Sequence, residues 1–280
     1  MSGDILIAAA GLHVALPDAA RKRPFRAAPL VPILHGIDFA VRRGEAVGIV
    51  GESGSGKSTL GRALLRLIVP TSGRIVFDGR DLTQAPESAL RPLRARMQMI
   101  FQDPLAALNP RRTILASVAA PLIARGDRAG VRARALAALE RAGLPGRLAG
   151  RYPHQLSGGQ RQRVGIARAI VTEPEFILAD EIVSGLDVAT QAQILDLLRQ
   201  LQRELGLALG FIAHDLSVVR VLCGRVAVMH QGRIVEDGAC AQVFAAPVHP
   251  YTRRLLAAIP LPELDDTWLD AAEPEPGESG

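Results

Sequence analysis

Apolar residues alternate with others from Ile5 to Val14 and from Ile37 to Val41, a period that predicts two strands. Between them Pro17 to Pro32, rich in proline and arginine, reads as a surface loop. The apolar stretch Glu45 to Val50 predicts a short strand that ends at a glycine-rich turn. Lys57 to Leu67 then sets Leu60, Leu64 and Leu67 on one side of a helix. Arg74 to Phe77 predicts a strand closed by the turn Asp78-Gly79, and from Pro86 to Ala149 the pattern is helical, with Val131, Leu136 and Leu139 on an amphipathic face. The strand signal returns at Phe176 to Ala179. A helix from Ala189 to Leu205 follows, with Ile194, Leu197, Leu198, Leu201 and Leu205 on one face. Leu207 to Ala213 is another apolar strand, and Arg225 to His230 with Arg233 to Asp237 form a hairpin about Gln231-Gly232. Strands alternating with helices predict an α/β fold, with a mostly parallel sheet covered on both faces and a helical insertion.

At 280 residues and 48% apolar content the chain is long enough to fold around its own core. The apolar run Ile5 to Leu16 is too short to span a membrane and contains His13, and Met1 to Asp4 lacks the basic start of an export signal. A cytoplasmic protein is expected. Cys223 and Cys240 stand too far apart for a metal knuckle and are expected to be inert thiols. The net charge of +5 permits nucleic acid as a partner, but aromatics are only 4% and the basic residues are scattered, so no nucleic acid is expected. Only two of the 33 basic residues are lysines, Lys22 and Lys57. Pro262 to Gly280, acidic, proline-rich and free of lysine and arginine, reads as a disordered tail.

One of those two lysines sits in Gly51-Glu52-Ser53-Gly54-Ser55-Gly56-Lys57-Ser58-Thr59, which fits G-x-x-x-x-G-K-[ST] between a predicted strand and a predicted helix. Glycines there let successive backbone N–H groups face a phosphate, and the helix start adds its positive dipole end. Lys57 would reach the β- and γ-phosphates of ATP, and Ser58 would offer a hydroxyl to Mg²⁺. Asp180 ends a buried strand at its carboxyl end, where α/β sheets place ligands, and suits Mg²⁺; Glu181 follows it and suits a base that orients water. His214 ends the next apolar strand, and Gln102 follows the apolar Ile100-Phe101. Asp180 and Glu181 have a bland alternative as a helix-capping acidic pair and His214 as a structural histidine, and Gln102 by itself says little.

Leu156-Ser157-Gly158-Gly159-Gln160 opens the helix Arg161 to Val171. Its Ser-x-x-Gln spacing is a capping box, yet two glycines in a first turn cost about 1 kcal/mol each relative to alanine. A helix start stripped of side chains suits the close approach of phosphate. On these residues the chain resembles the ATP-binding cassette (ABC) ATPases from about Ile5 to Pro260. The resemblance implies a P-loop NTPase fold of RecA-like type, with an antiparallel β subdomain and a helical subdomain inserted at about 86–170. It makes Gly51 to Thr59 the Walker A loop, Gln102 the Q-loop residue that also meets the metal, and Leu156 to Gln160 the signature. Asp180 and Glu181 become Walker B and the catalytic glutamate, Ser184 to Asp187 the D-loop, and His214 the switch histidine. It further implies that Ser157, Gly158, Gly159 and Gln160 contact ATP held by a second cassette, with Asp187 beside them. Two departures stand out: Ile182 occupies the family's proline position, and neither Phe25 nor Leu16 matches the aromatic that stacks on adenine.

His249 to Leu256, followed by Ala257 to Pro260, is similar to the C-terminal element of dipeptide, oligopeptide and nickel importers, as are Phe101 to Leu105 and Leu108 to Arg111. This divides the chain into a cassette at 5–238, an extension at 239–262 and the tail at 263–280. Ser58 to Arg62 is similar to the second of two ATPase subunits in such systems, which implies a heterodimer. The implied partners are two integral membrane permease subunits and, indirectly, an extracytoplasmic solute-binding protein, with this chain peripheral at the cytoplasmic face of the membrane. Cassettes of phosphonate-degrading complexes resemble the same branch, so a soluble ATPase of that kind stays open.

Overall fold

The structure, a computed structural model, describes residues 4–18 and 28–257. The tail at 263–280, residues 258–262 of the extension, and Phe25 lie outside the described residues. In chain order the strands are β1 (Ile5–Pro17), β2 (Leu30–Arg42), β3 (Ala46–Val50), β4 (Ser72–Phe77), β5 (Arg80–Asp81), β6 (Met97–Ile100), β7 (Phe176–Asp180), β8 (Ala208–Ala213), β9 (Arg225–His230) and β10 (Arg233–Ala239). The α-helices are α1 (Lys57–Leu64), α2 (Glu87–Leu90), α3 (Pro104–Ala107), α4 (Ile114–Ala124), α5 (Val131–Arg141), α6 (Gly158–Ile170), α7 (Val188–Leu205), α8 (Leu216–Leu222), α9 (Cys240–Ala245) and α10 (Pro250–Ala257).

The strands form two sheets. One is antiparallel in the order β2-β1-β4-β5; the other runs β10-β9-β3-β8-β7-β6 and is parallel except for the β9/β10 hairpin. The parallel strands β3, β7 and β8 are buried at every position, as expected for strands covered on both faces. Alternate side chains therefore feed two cores. Val47, Ile49 and Ile212 pack with Leu60, Leu64 and the antiparallel sheet, whereas Val50, Ile177 and Phe211 pack with the helices on the other side.

Three sequence expectations are corrected. The loop expected at 17–32 is shorter, because β1 and β2 pair as far as Pro17 with Leu30. Pro32 is tolerated in β2 because that strand is the edge of its sheet, where a residue without an N–H need not break the ladder. The helix expected at 57–67 stops at Leu64: Arg66 adopts a left-handed φ of 52° and donates from Nε to the Leu82 carbonyl at 2.7 Å. The interval 86–149 is not all helical, since β6 lies within it and pairs in parallel with β7, from Met97 with Phe176 to Ile100 with Ala179. Four residues are too few for periodicity to separate strand from helix. The helical layer of α4, α5 and α6 thus begins beyond the sheet's edge strand, after residue 100.

A charged clamp joins the sheets away from the site. Arg43 and Arg96 each bind both Asp78, in the β4–β5 turn, and Glu175, just before β7. Hydrogen bonds from Arg96, reinforced by Arg43, hold both carboxyl groups below the usual range.

In the middle of β3, a Cβ on Gly48 would lie 2.2 Å from Val219 Cγ1 of α8. Gly48→Ala is expected to destabilise the protein by about 1–3 kcal/mol through overpacking. Adding Val219→Ala, which opens the space that the new methyl fills, should recover part of the loss in a urea titration. An unchanged midpoint for Gly48→Ala would contradict this packing.

Candidate functional site

β3, β8 and β7 end together. Val50 pairs with Ala213 and Asp180 with Ile212, so Gly51, His214 and the Asp180-Glu181 pair leave adjacent strands at one edge of the sheet. Gly51 has a φ of 149°, and a Cβ there would lie 2.1 Å from the Met229 carbonyl oxygen, so only glycine allows the chain to leave β3 this close to β9. Residues 51–56 then loop back to α1, whose start is Lys57. Gly232 N donates to the Ser55 carbonyl at 3.0 Å, bracing the loop from the β9–β10 turn.

Lys57 is 4% exposed, and its Nζ donates to the carbonyls of Gly51 at 2.8 Å and Glu52 at 2.9 Å. It lies 4.0 Å from Glu181 Oε1. Burial lowers its pKa, and Glu181 and Asp180 partly offset that. Ser58 donates from Oγ to Asp180 Oδ1 at 2.8 Å, and Asp180 itself is 3% exposed. Burial raises the pKa of Asp180 against the opposing pull of Ser58 and of Arg62, which lies 3.9 Å away. Gln102, two residues beyond β6, donates from Nε2 to Glu181 Oε2 at 2.9 Å. Glu181 holds a left-handed φ of 49° in a turn where Ser184 donates to its carbonyl from both Oγ (2.7 Å) and N (3.1 Å). Ile182 is 1% exposed, so the residue at the family's proline position packs into the core of a closed turn.

Among the described residues, then, Gly51 to Thr59, Gln102, Asp180, Glu181 and His214 gather at one edge. Ser157, Gly158, Gly159, Gln160 and Asp187 gather elsewhere, where two helices begin side by side. Ser157 Oγ accepts from Gln160 N at 3.3 Å while Gln160 Oε1 accepts from Ser157 N at 3.0 Å, so the capping box of α6 is formed. Asp187 caps α7 by accepting from Thr190 N and Oγ1. A Cβ on Gly159 would lie 2.6 Å from Thr190 Cγ2, so that glycine is required by the contact between the two helix starts. Ser157 is exposed.

The oxygen donors at the first cluster suit a hard cation: Ser58 and Asp180 are already in contact, and Ser55 Oγ is buried without a partner. Among the described residues no group of three or more His, Cys, Asp or Glu could hold a metal alone. Ser58 and Asp180 could serve Mg²⁺, which takes one or two carboxylates and completes its shell with water and phosphate oxygens. Sequence reasoning gave Arg62 no role at the site, although it lies one helical turn from Ser58 on α1, and it missed the grip of the β9–β10 turn on the loop. Leu16 is half-buried against the core of the antiparallel sheet. Burial pushes the Cys240 thiol up to about 11 and also raises Cys223, so both stay protonated at neutral pH.

Strand, glycine loop and helix, with a carboxylate at the end of the next-but-one parallel strand, β7, define a P-loop NTPase. A family model described as ABC transporter matches residues 34–184, and the chain belongs to that family. It is 53% identical over 235 residues to a Brucella ovis protein described as a peptide import ATP-binding protein, covering 83% of this chain and 74% of that one. It is 49% identical over 236 residues to an oligopeptide transport ATP-binding protein of Salmonella typhimurium, covering 82% and 70%. Among solved structures it is similar to a dimeric ATP-binding cassette in a post-hydrolysis state bound to ADP and Pi. That likeness has a TM-score of 0.74 and 31% identity, over 84% of this chain and 99% of that one. A part of an ABC transporter complex from Clostridium perfringens also gives 0.74, at 30% identity, over 92% and 96%.

Because burial raises the Asp180 pKa above the ordinary 3.8, the folded protein binds that proton more tightly than the unfolded chain does. Its contribution is therefore favourable at low pH and is lost as pH rises through the raised value. Asp180→Asn keeps an acceptor for Ser58 and removes this titration. The variant should melt higher than the wild type near neutral pH, with the gain closing below about pH 4. Parallel Tm profiles across that range would contradict it.

Proposed function

We propose that this chain is an ATP-binding and ATP-hydrolysing subunit that energises an importer of peptides or related solutes through ATP-driven closure and reopening of a cassette dimer. The observation that carries it is the contact chain Gln102–Glu181–Lys57 beside Ser58–Asp180, set at the mouth of the glycine loop. Loop amides and Lys57 bind the phosphates, and release of Lys57 from two backbone carbonyls is offset by the charge it meets. Mg²⁺, held by Ser58, Asp180 and Gln102, would neutralise charge on the β- and γ-phosphates. Glu181 orients and deprotonates the attacking water, Gln102 holds its carboxylate, and His214 approaches from the neighbouring strand.

The start of α6, with Ser157 exposed and Gly158 half-buried beside it, supports the second half of the reading. There a partner cassette's γ-phosphate completes the site, so ATP favours the closed dimer over the open one. The partner is a second ABC subunit, read as a different chain. The names of the peptide-import relatives support the solute class. Among the described residues no helix is long and apolar enough to cross a membrane, and the names of the importer relatives support separate permease subunits as partners. A groove of about 970 Å³ between the helical layer and β6 supports their docking, with Leu67, Met99, Phe101, Pro121 and Arg168 in its wall. Phe101 is 41% exposed and precedes Gln102, so pressure there passes to Glu181 through one hydrogen bond.

Lys57→Ala is expected to abolish MgATP binding, and calorimetric titration with unchanged affinity would refute the cradle. Glu181→Gln should keep binding while turnover falls about 10² to 10⁴-fold, the usual worth of a general base. Phosphate release at the wild-type rate would remove Glu181 from its role.

A further inference from the structure

The importer-like segment at 249–256 has no part in the chemistry above, yet it reaches the loop. Tyr251, on α10, is 2% exposed, and its hydroxyl accepts from Glu52 N at 2.9 Å, a contact between residues 199 apart in sequence. Its ring stacks on His230, the last residue of β9, with centroids 4.0 Å apart and planes 27° apart. The approach to α10 is itself tethered, because Glu236 of β10 accepts from Val248 N at 2.8 Å and His249 N at 3.0 Å.

The Glu52 amide belongs to the peptide group whose carbonyl is Gly51 O, and that carbonyl receives Lys57 Nζ at 2.8 Å. One peptide plane is therefore held at both ends, by tyrosine on its N–H and by lysine on its C=O. We propose that Tyr251 is a positioning residue of the nucleotide loop, its hydroxyl fixing the 51–52 peptide in the orientation that aims the Gly51 carbonyl at Lys57. A hydrogen bond on the N–H also polarises the carbonyl and strengthens it as an acceptor. The residue thus sets both where Lys57 rests and how the loop enters its turn, and it ties the C-terminal element to nucleotide binding. This rests on the reading of 51–59 as an ATP cradle.

The test uses the full chain and Tyr251→Phe, which keeps the ring, its burial and its stack on His230 and removes only the hydroxyl. Without nucleotide, exchange of the Glu52 amide should accelerate about 3- to 10-fold, the worth of one hydrogen bond, while amides in β8 exchange as in the wild type and the Tm falls by no more than about 2–4 °C. With nucleotide, KM and Kd for MgATP should rise by a similar factor of about 3 to 10 while kcat stays within about twofold. Unchanged exchange at Glu52 would overturn the contact. Accelerated exchange with wild-type MgATP affinity would overturn the positioning role, as would faster exchange spread through β8 with a Tm fallen beyond that range, which marks Tyr251 as a packing residue. A wild-type chain that binds no MgATP, with Glu52 exchange still responding to the substitution, would overturn the nucleotide reading and the proposal with it.

Discussion

Three parallel strands stop within a residue of one another, and the site follows from that register. With Val50 opposite Ala213 and Ile212 opposite Asp180, the chain leaves β3 as a glycine loop, β7 as two carboxylates and β8 as a histidine, all at the same edge. A slip of one residue in either pairing would turn Asp180 to the other face of the sheet, because side chains alternate. The register is fixed by dry contacts on both faces, where Ile49 and Ile212 meet α1 and its layer while Phe211 and Val50 meet the helices opposite. Gly48 sharpens it, since only a residue without a side chain lets Val219 settle against β3 at that level.

Bringing those groups together carries a cost that the fold leaves partly unmet. Lys57 and Asp180 are both nearly dry, and burial moves their pKa values in opposite directions, each towards the neutral form. Lys57 spends its donors on two backbone carbonyls, Ser55 Oγ has no partner, and Glu181 sits at positive φ without being glycine. Such unmet demand is what a site for a highly charged ligand requires, and under the proposed function a triphosphate with its divalent cation would satisfy it.

The loop at 51–59 was legible because its fixed letters and its setting between strand and helix are jointly improbable, and the helix faces were legible because leucines recur at helical spacing. What stayed hidden depends on partners distant in sequence. β6 is four residues of ordinary composition, made a strand by pairing with β7 some eighty positions later. Pro32 argued against a strand, and only the edge position of β2 removes the objection. The clamp of Arg43 and Arg96 on Asp78 and Glu175 has no local pattern at all, nor does the hydroxyl of Tyr251 beneath Glu52. Ile182 shows the reverse case: read from sequence as a departure, it is one more buried aliphatic beneath a turn held by Ser184.

The start of α6 separates the bland reading of a motif from the functional one residue by residue. Ser157 and Gln160 form a capping box, and Gly159 leaves room for Thr190, so three of the four positions have reasons inside the chain. Gly158 does not: a Cβ there would meet only Leu186 Cδ2 at 3.8 Å, an ordinary contact that alanine would satisfy while gaining about 1 kcal/mol of helix propensity. The capping box spends the amide of Gln160 and leaves those of Gly158 and Gly159 outside it. A bare first turn with spare donors, beside an exposed serine, has the form of half an anion site. The glycine loop forms a separate cluster of the same molecule, which is the arrangement that the proposed cassette dimer requires.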